Sequence, residues 1–410
     1  MISKEDYMIF LLLILIPSFV TSSLLNYTEL FYPKGNYNFF TSLFLPDSRV
    51  VIYNSEYLFI PNVIKPKNDF QKERITLILH CSHDYFSSNF SKHLKNWDGP
   101  ISLGIFLHTN KVHSPETLCT YCTLKRIPNI EDKSQIHFIY RATPFADGNL
   151  DSKINEYLSL VDCNDEKFLE SVCIAKNFTE NQKIKNMINY PVNVVRNIAR
   201  KMSVTKYILL ADFDHMFSKN FETKMVKVAK KELKKDQNSV LVYRIFEVDE
   251  NVTNLPENKT SLFTLMSNKK ANIFHSYYPM GHTIPGLYEW INTKDSDEPA
   301  VQFEARYSRS AWEPQFVSTK DIPFHDENFL YPLRDNTNLR WTMCRKGYRF
   351  LIVNDVFMYH IGIKQEKAKL LASKARQWIY KRMKTVVNEY NKRLDELYPE
   401  TKKKCPSFTI

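Results

Sequence analysis

The chain has 410 residues, 43% of them hydrophobic and 14% aromatic, which is enough for a substantial core and excludes a disordered chain. Its formal net charge is +11, but residues 364–404 alone carry 13 Lys or Arg against 5 Asp or Glu. The basic excess is therefore local, and no nucleic-acid-binding motif with interleaved aromatic residues accompanies it. We expect no nucleic-acid partner.

An apolar run from Met8 to Val20 has the length of a signal-peptide core. Extended through Leu25, the same run makes a short type II anchor, and we favour this second interpretation for residues 1–25. It predicts a single-pass Golgi membrane protein with a lumenal catalytic domain. Cleavage after Ser22 would instead release the protein into the lumen or the medium.

The cysteines and glycosylation sequons indicate the secretory pathway. Five N-x-S/T sequons occur, at Asn26, Asn89, Asn177, Asn251 and Asn258. In an oxidising lumen the chain spacing favours two local disulfides, Cys119–Cys122 and Cys163–Cys173, over a zinc site. There are seven cysteines, so at least one is left over, and Cys81, at the end of an apolar strand, is predicted to be the buried free thiol.

The pattern of residues 71–364 is typical of an α/β catalytic domain, whereas residues 26–70 suit a stem or an irregular cap. Buried strands are predicted at Ile75–Cys81 and Ile101–His108, with a helix at Phe86–Trp97 between them. A third strand follows at Ile136–Arg141. Strand, helix and strand at this spacing describe a β-α-β unit with a parallel sheet.

A helix beginning at Pro191 is predicted before the next strand, because apolar residues recur at helical spacing from Val192 to Met202. The other flank of this helix carries four polar residues: Asn193, Arg196, Asn197 and Arg200. These side chains are either solvated or placed to meet an anionic nucleotide.

The buried strand Tyr207–Ala211 ends at Asp212, and in an extended chain Asp212 and Asp214 point to the same side. Two adjacent carboxylates predict a site for Mg²⁺ or Mn²⁺, although a solvated acidic turn is the alternative. An EF-hand is excluded, because its loop needs an acid or amide near Met216 and a glycine near Phe217.

After this motif a basic helix is predicted at Phe221–Lys235 and a strand at Ser239–Glu247. The later segment Phe357–Lys364 is predicted to be a strand that places His360 at its end. The imidazole of His360 can join the two carboxylates on Mn²⁺, and Lys364 can reach an anionic group beside the metal. The sequence contains no GxGxxG, GxxxxGK[ST], HExxH or GxSxG. Dinucleotide oxidoreductases, P-loop NTPases, zincins and α/β-hydrolases therefore lose their main support.

Four motifs together resemble glycosyltransferase family 49: YPVNVVRNIARKMSVTKYILLADFDHMFS, WEPQFV, HDENF and HIGIK. The resemblance runs from about Ile75 to Lys364 and implies a GT-A fold, a UDP-sugar donor, Mn²⁺ and inversion at the anomeric carbon. It implies that Asp212, Asp214 and His360 bind the metal. It also implies that Lys364 contacts the diphosphate, with Arg196 and Asn197 near the nucleotide.

The family includes glucuronyltransferases, so glucuronic acid is the favoured sugar and a glycan or glycoprotein the expected acceptor. The alternatives are a transferase using UDP-GlcNAc or UDP-xylose, a catalytically inactive glycan-binding protein of the same fold, and a different metal-dependent nucleotide-sugar enzyme such as a phosphotransferase or hydrolase. The intact metal motif disfavours the inactive protein.

An inverting transfer needs one base, and Asp326 is our candidate, with Glu327 and Glu313 as rivals. Asp326 precedes Phe329 and Tyr331, which would wall a sugar site, although an acid at a helix N-terminus is the structural alternative. His282 and Trp312 are further candidates for contact with donor or acceptor.

Residues 365–410 are predicted to form a helical C-terminal extension. Apolar residues recur at roughly helical spacing up to Pro399: Leu370, Leu371, Trp378, Ile379, Met383, Val386, Val387, Tyr390, Leu394 and Leu397. We expect one or two long helices that pack this stripe on the catalytic domain and turn their basic residues outward.

Overall fold

The computed structural model describes residues 50–87, 90–142, 154–174, 177–363 and 366–410. Within these ranges twelve strands form one mixed sheet. They are β1 Val51–Ile52, β2 Tyr57–Ile64, β3 Ile75–Ser82, β4 Ile101–Phe106, β5 Ser134–Arg141, β6 Tyr207–Leu210, β7 His215–Phe217, β8 Ser239–Val248, β9 Ala271–Ile273, β10 Val301–Ala305, β11 Gln315–Thr319 and β12 Arg349–Ile361.

Helices cover both faces of the sheet. In the described ranges they are α1 Phe90–Asn96, α2 Pro115–Lys125, α3 Ile154–Ser159, α4 Glu166–Val172, α5 Glu180–Asn189, α6 Val192–Met202, α7 Phe221–Lys235, α8 Lys259–Ser267, α9 Pro279–His282, α10 Leu287–Asn292, α11 Thr337–Arg345 and α12 Glu366–Leu397. The predicted α/β class is confirmed, and α7 has the predicted bounds.

The sheet order is β1-β2-β5-β4-β3-β6-β11-β8-β12-β10, with β7 on β12 and β9 on β8. Strands β5, β4, β3 and β6 are mutually parallel, which confirms the predicted β-α-β unit. β11 joins this parallel block to β8 by antiparallel pairing on both of its sides. The carboxyl ends of the four parallel strands therefore meet at one edge, where Asp212 follows β6.

The continuous apolar strands are explained by burial on both faces of the sheet. In β3, Leu77 and Leu79 belong to the hydrophobic cluster on one face, and Ile78 belongs to the cluster on the other. Tyr207 and Ile208 of β6 divide in the same way. Without a solvated face, these strands show no alternation of polar and apolar residues.

Helix α6 packs across β3 and β4. Its polar flank, which the sequence allowed to be solvated, is buried. Asn193, Arg196, Asn197 and Arg200 are each at most 4% exposed. Arg200 donates hydrogen bonds to the carbonyls of Lys320, Ile322 and Pro323, so it is not solvated. This polar flank binds neighbouring loops because those loops, which are distant in sequence, cover it.

Part of the predicted stem or cap lies in the sheet. β2 pairs antiparallel with β5, with Tyr57 opposite Arg141, so the sheet begins before residue 71. The segment 1–25 and the rest of the predicted stem up to residue 49 lie outside the described residues. Among the residues that are described, no helix is both long and apolar enough to cross a membrane.

The predicted local disulfides are wrong. Cys119 pairs with Cys173 and Cys122 with Cys163, and a third bond joins Cys344 to Cys405. Cys119 and Cys122 lie one turn apart on α2, and each reaches a different end of the segment that contains α4. Cys81 is the buried free thiol, as predicted.

The C-terminal extension contains one helix of 32 residues, α12. Its buried face joins the cluster around Trp341 and consists of Ala372, Ala375, Ile379, Met383, Val387, Tyr390 and Leu394. The predicted stripe is confirmed at its centre, but Leu370, Trp378 and Leu397 are 53–57% exposed. These three side chains lie outside the buried face of α12.

Two buried histidines predict that acid destabilises the protein. His137 and His93 are at most 1% exposed, and burial lowers the pKa of His137 to about 3 and that of His93 to about 4. In the unfolded chain both bind a proton near pH 6.5, so stability falls as the pH drops below that value. At pH 5 each neutral ring should cost about 2 kcal/mol of unfolding free energy relative to pH 7.

Urea unfolding at pH 7 and pH 5 measures this loss. His137→Gln is the matched variant, because it removes one titrating ring while glutamine can still hydrogen-bond to the Asn62 amide and Ser102, the polar partners of His137. The variant should lose less stability between the two pH values than the natural chain does. Equal losses in the two proteins would contradict the assignment of His137.

Candidate active site

The two carboxylates of the D-x-D motif lie at the carboxyl edge of the sheet. Asp212 and Asp214 follow β6 after the buried Ala211, with side chains 48% and 39% exposed. The chain then turns, since the His215 amide donates to the Asp212 carbonyl at 3.2 Å, and continues as β7. A buried strand thus presents two accessible acids at its end.

β12 brings His360 to this edge. It pairs with β7 so that His360 lies opposite His215, and His360 Nε2 is 3.0 Å from Asp214 Oδ2. His360 Nδ1 is 2.7 Å from the carbonyl oxygen of Gly362, which can only accept a hydrogen bond. Nδ1 therefore carries a proton, and Nε2 is the ring nitrogen directed at Asp214.

The pKa values of this pair shift toward the charged forms. Burial by itself lowers the pKa of His360, but the hydrogen bond and charge of Asp214 outweigh burial and raise it. Burial raises the pKa of Asp214, and the hydrogen bond from His360 with the charge of His215 outweighs it and lowers the pKa. Each member of the pair therefore favours the charged form of the other.

Asp212 is held by the opposite side of the cleft. Arg196 Nη2 and His80 Nε2 each lie 3.1 Å from Asp212 Oδ1. Burial raises the pKa of Asp212, but its hydrogen bond with His80 and the charges of His215 and Arg196 hold it well below its usual range. Asp212 is therefore an anion with a fixed orientation.

Arg196 is a positioning residue in this arrangement. Its guanidinium also donates to Asp335 Oδ2 at 2.9 Å and to Asn193 Oδ1 at 3.1 Å, and its side chain is only 5% exposed. The guanidinium thus lies between two carboxylates, Asp212 and Asp335. Arg196 contacts Asp212 in the structure, and its predicted position near the nucleotide stays a prediction.

Asn197 lies behind the HDENF loop. Its side-chain amide donates to the His325 carbonyl at 2.9 Å and to Glu327 Oε1 at 2.8 Å, and its oxygen accepts from the His325 amide. Glu327 also accepts a hydrogen bond from the Tyr53 hydroxyl, and burial raises the pKa of Glu327. These contacts fix the loop on α6.

Asp326 is engaged on both carboxylate oxygens. Oδ1 accepts hydrogen bonds from the backbone and side chain of Asn328 at 2.9 Å, and Oδ2 forms an ion pair with Arg393 of α12. The Asp326 side chain is 11% exposed. These side-chain partners lie on its own loop and on α12, and neither belongs to the Asp214–His360 pair.

The other candidates divide between core and site. Trp312 is 3% exposed and packs in the hydrophobic core, and Lys364 lies outside the described residues. His282 is close enough to the D-x-D motif for the charge of Asp212 to act on it, and burial lowers its pKa to about 4. The sequence analysis missed Phe274, whose ring lies 5.7 Å from that of His360.

It also missed Asp335 and His80. The sequence does contain a signal for His80 as a site residue, because it is a polar residue near the carboxyl end of the buried strand β3. Asp335 lies in a polar run before α11, where an acid usually reads as a helix-terminal residue.

The donor set suits a hard divalent cation, although no metal cluster is complete. No group of three or more His, Cys, Asp or Glu residues that could hold a metal was found in the described parts of the chain. Asp214 and His360 nevertheless offer a carboxylate oxygen and an imidazole nitrogen 3.0 Å apart. The hydrogen bond of His360 Nδ1 to the Gly362 carbonyl is of the kind that orients an imidazole for metal binding.

Comparison with known proteins identifies the family. A family model described as glycosyl-transferase for dystroglycan matches residues 74–399, most of the chain. The chain belongs to glycosyltransferase family 49. It is therefore a glycosyltransferase, and its mixed α/β sheet agrees with the GT-A fold that the resemblance implied.

The family 49 relatives include β-1,4-glucuronyltransferase 1 of Danio rerio, 24% identical over 73% of this chain and 69% of that protein. The Homo sapiens protein of the same name is 22% identical over 83% of this chain and 79% of its own length. Xylosyl- and glucuronyltransferase LARGE2 of Mus musculus is 26% identical, but over only 42% of this chain and 24% of LARGE2.

A solved structure, GalNAc-T7 with UDP, GalNAc and Mn²⁺, covers 72% of this chain and 44% of its own at 12% identity and a TM-score of 0.33. That likeness is too distant to bear on the site.

Proposed function

We propose that this family 49 protein moves a sugar, with glucuronic acid favoured, from a UDP-sugar to a glycan or glycoprotein hydroxyl, with inversion and with Mn²⁺ or Mg²⁺. The observation that carries the proposal is the Asp214–His360 pair at the carboxyl edge of the sheet, beside the fixed anion Asp212. The names of the relatives in two subfamilies support glucuronic acid as the transferred sugar.

Asp214 and His360 would hold the metal, with Asp212 contacting the metal or the ribose. When bound, the metal would offset the negative charge that develops on the departing diphosphate. Arg196 keeps Asp212 ionised and oriented from behind, because its guanidinium is fixed in turn by Asp335. Lys364 follows His360 closely enough in sequence to contact the same diphosphate.

The transfer itself is a direct displacement. The acceptor oxygen forms a bond to the anomeric carbon as the bond from that carbon to UDP breaks. The acceptor hydroxyl loses its proton to a carboxylate, and UDP leaves with its charge stabilised. The protein therefore needs an acid that is accessible from the side opposite the diphosphate.

We assign this base to Glu313 rather than to Asp326. Glu313 is partly exposed, and its amide donates to the Gly281 carbonyl at 2.8 Å, next to His282. Its carboxylate accepts a hydrogen bond from the side chain of Asn336, the neighbour of Asp335. Glu313 is thus linked through the residues around Asp335 to the site of Asp212, whereas Asp326 is bound to Arg393.

The compartment assignment rests on the disulfides and sequons. Three disulfides join distant parts of the chain, as is typical of proteins that fold in an oxidising lumen. The described sequon residues Asn177, Asn251 and Asn258 are all exposed. We propose a Golgi membrane protein anchored by residues 1–25, or a secreted one if that segment is cleaved.

A donor panel tests the function. Purified protein is incubated with UDP-glucuronic acid, UDP-xylose, UDP-GlcNAc and UDP-glucose, with and without Mn²⁺, in the presence of glycan acceptors. We expect Mn²⁺-dependent transfer, greatest from UDP-glucuronic acid. UDP binding without transfer from any donor would instead support the inactive glycan-binding protein, and greatest transfer from UDP-xylose or UDP-GlcNAc would correct the sugar.

Glu313→Gln is expected to lower turnover by about 10²- to 10⁴-fold, because it removes the group that accepts the hydroxyl proton. UDP affinity in the presence of Mn²⁺ should not change, since the base does not contact the diphosphate. Steady-state kinetics and UDP titration measure the two effects.

Asp326→Asn is the matched variant for this test. It should affect thermal stability through the lost ion pair with Arg393 more than it affects turnover. A large loss of turnover in Asp326→Asn with near-normal turnover in Glu313→Gln would return the base to Asp326.

A further inference from the structure

The loop between β9 and α9 carries exposed aromatic side chains near the Asp214–His360 pair. Tyr277 is 57% exposed, Tyr278 45% and Met280 48%. A loop that only connects β9 to α9 would be expected to carry polar residues here, and neighbouring exposed apolar side chains commonly mark an interaction site. Which ligand these side chains could bind depends on where they lie relative to the active site.

A chain of ring contacts connects this loop to the pair. The Phe274 ring lies 5.7 Å from His360 and stacks on His275 at 3.8 Å, and the His275 ring lies 5.3 Å from that of Tyr277. Tyr277 is therefore three ring contacts away from His360, and Tyr278 is its neighbour in the chain.

The loop is also fixed to the candidate base. The amide of Glu313 donates to the carbonyl of Gly281 at 2.8 Å, and the Gly281 amide donates to the Tyr278 carbonyl at 3.0 Å. A Cβ atom on Gly281 would lie 3.0 Å from Cδ1 of Tyr278, so the tyrosine ring packs directly over this glycine. Gly281 thus fixes the position of the Tyr278 ring relative to the Glu313 backbone.

A buried polar atom beside the loop lacks a protein partner. His282 is 9% exposed, and within the described chain nothing forms a hydrogen bond with its Nδ1. A buried imidazole nitrogen normally has such a partner. A sugar hydroxyl can provide one, because it both donates and accepts hydrogen bonds.

The donor does not fit this surface. Its diphosphate belongs at Asp214 and His360, and its nucleotide belongs over the parallel strands, where ligands bind at the carboxyl ends in open α/β sheets. The loop instead follows β9, which lies across β11 and β8 from those strands. Through the hydrogen bond between Gly281 and the Glu313 backbone, it borders the proposed base.

We propose that Tyr277 and Tyr278 form a stacking platform for a sugar ring of the acceptor glycan, with His282 as a hydrogen-bond partner. This inference rests on the proposed function and adds the residues that bind the acceptor. A pyranose ring presents an apolar C–H face and a rim of hydroxyls, and tyrosine matches both with its ring face and its hydroxyl. Tyrosine also contributes large contact area at a small entropic cost.

An array of immobilised neutral and acidic oligosaccharides, probed with the protein in UDP and Mn²⁺, tests the platform. The double variant Tyr277→Ala/Tyr278→Ala should lose about tenfold or more in affinity for the glycans that the natural chain binds, as is typical of aromatic hot spots. Tyr278→Phe should keep most of the affinity, because the ring face remains. Both residues are exposed, so their removal leaves the core intact.

Tyr288→Ala is the control, since Tyr288 is 77% exposed on α10 and has no ring contact among those that link the loop to His360. Its glycan affinity should equal that of the natural chain. Mn²⁺-dependent UDP affinity should be the same in all four proteins.

Unchanged glycan affinity in the double variant would overturn the platform while leaving the transferase proposal standing. The absence of glycan binding by the natural chain, with UDP still bound, would overturn it as well. A loss of UDP affinity in the double variant would show that the tyrosines contact the donor, and would also overturn the inference. Failure of the transferase proposal has a different signature, which is a natural chain that does not bind UDP with Mn²⁺.

Discussion

His360→Ala and Asp214→Asn are each expected to weaken Mn²⁺-dependent UDP binding on the order of a hundredfold or more, because loss of even an outer partner of a metal ligand costs about 10- to 100-fold. Transfer should fall at least as far. Each variant removes one member of a pair whose atoms are 3.0 Å apart and leaves the other without its partner. Isothermal titration with UDP, with and without Mn²⁺, together with turnover, measures the effect.

The fold should survive both substitutions. The Asp214 side chain is 39% exposed and that of His360 is 19% exposed, so substituting either opens no cavity in the core. Asp297→Asn is the control, because Asp297 is an acid with an 88% exposed side chain, and this variant should bind UDP normally. Undiminished transfer in His360→Ala and Asp214→Asn would exclude the metal-dependent mechanism.

Truncation after Lys364 is expected to abolish folding. It removes α12, whose Ile379, Met383 and Tyr390 are at most 4% exposed in the core beside Trp341. Each such side chain is worth about 2–5 kcal/mol, and a whole domain is stable by only about 5–15 kcal/mol. The truncated chain should therefore be insoluble or unfold without a cooperative transition.

The same truncation removes the polar contacts that fix α11 to the C-terminal segment. Arg345 donates to the carbonyls of Leu394 and Tyr398 and pairs with Asp395 at 2.9 Å, and Cys344 is bonded to Cys405. Arg345 is itself 8% exposed, so the truncation would leave its charge without partners.

A pair of point variants on α12 separates this burial from the presence of the helix itself. Met383→Ala, fully buried, should cost about 2–5 kcal/mol of unfolding free energy. Trp378→Ala, on the same helix but 57% exposed, should change stability by less than about 0.5 kcal/mol. A soluble and active truncated protein, or equal costs for the two variants, would show that α12 is a detachable extension.

Several features of the protein follow from local sequence patterns. Uninterrupted apolar runs predicted the buried strands, because strands that are covered on both faces have no alternation to display. The two acids after Tyr207–Ala211 indicated the edge of the sheet at which the site lies. The helical period after Lys364 predicted α12. Each of these patterns spans fewer than about a dozen residues or repeats at a fixed interval.

The partners of the site residues depend on contacts that no local pattern records. Arg196 is buried because Asp335, 139 positions away, reaches it through the turn before α11. The same dependence on distant packing decided the disulfides, since Cys119 and Cys122 bond to opposite ends of a separate segment rather than to each other.

The sequence by itself determined the α/β class, the strand that ends in the D-x-D motif, the pairing candidates Asp214 and His360, and the family. Only the tertiary structure decided the surroundings of the candidate bases. The Asp326 carboxylate is bound to Arg393, whereas the Glu313 backbone is bonded to Gly281. The physical reason is that strand type depends on neighbouring residues, whereas the surroundings of a carboxylate depend on loops that the sheet register brings together from distant parts of the chain.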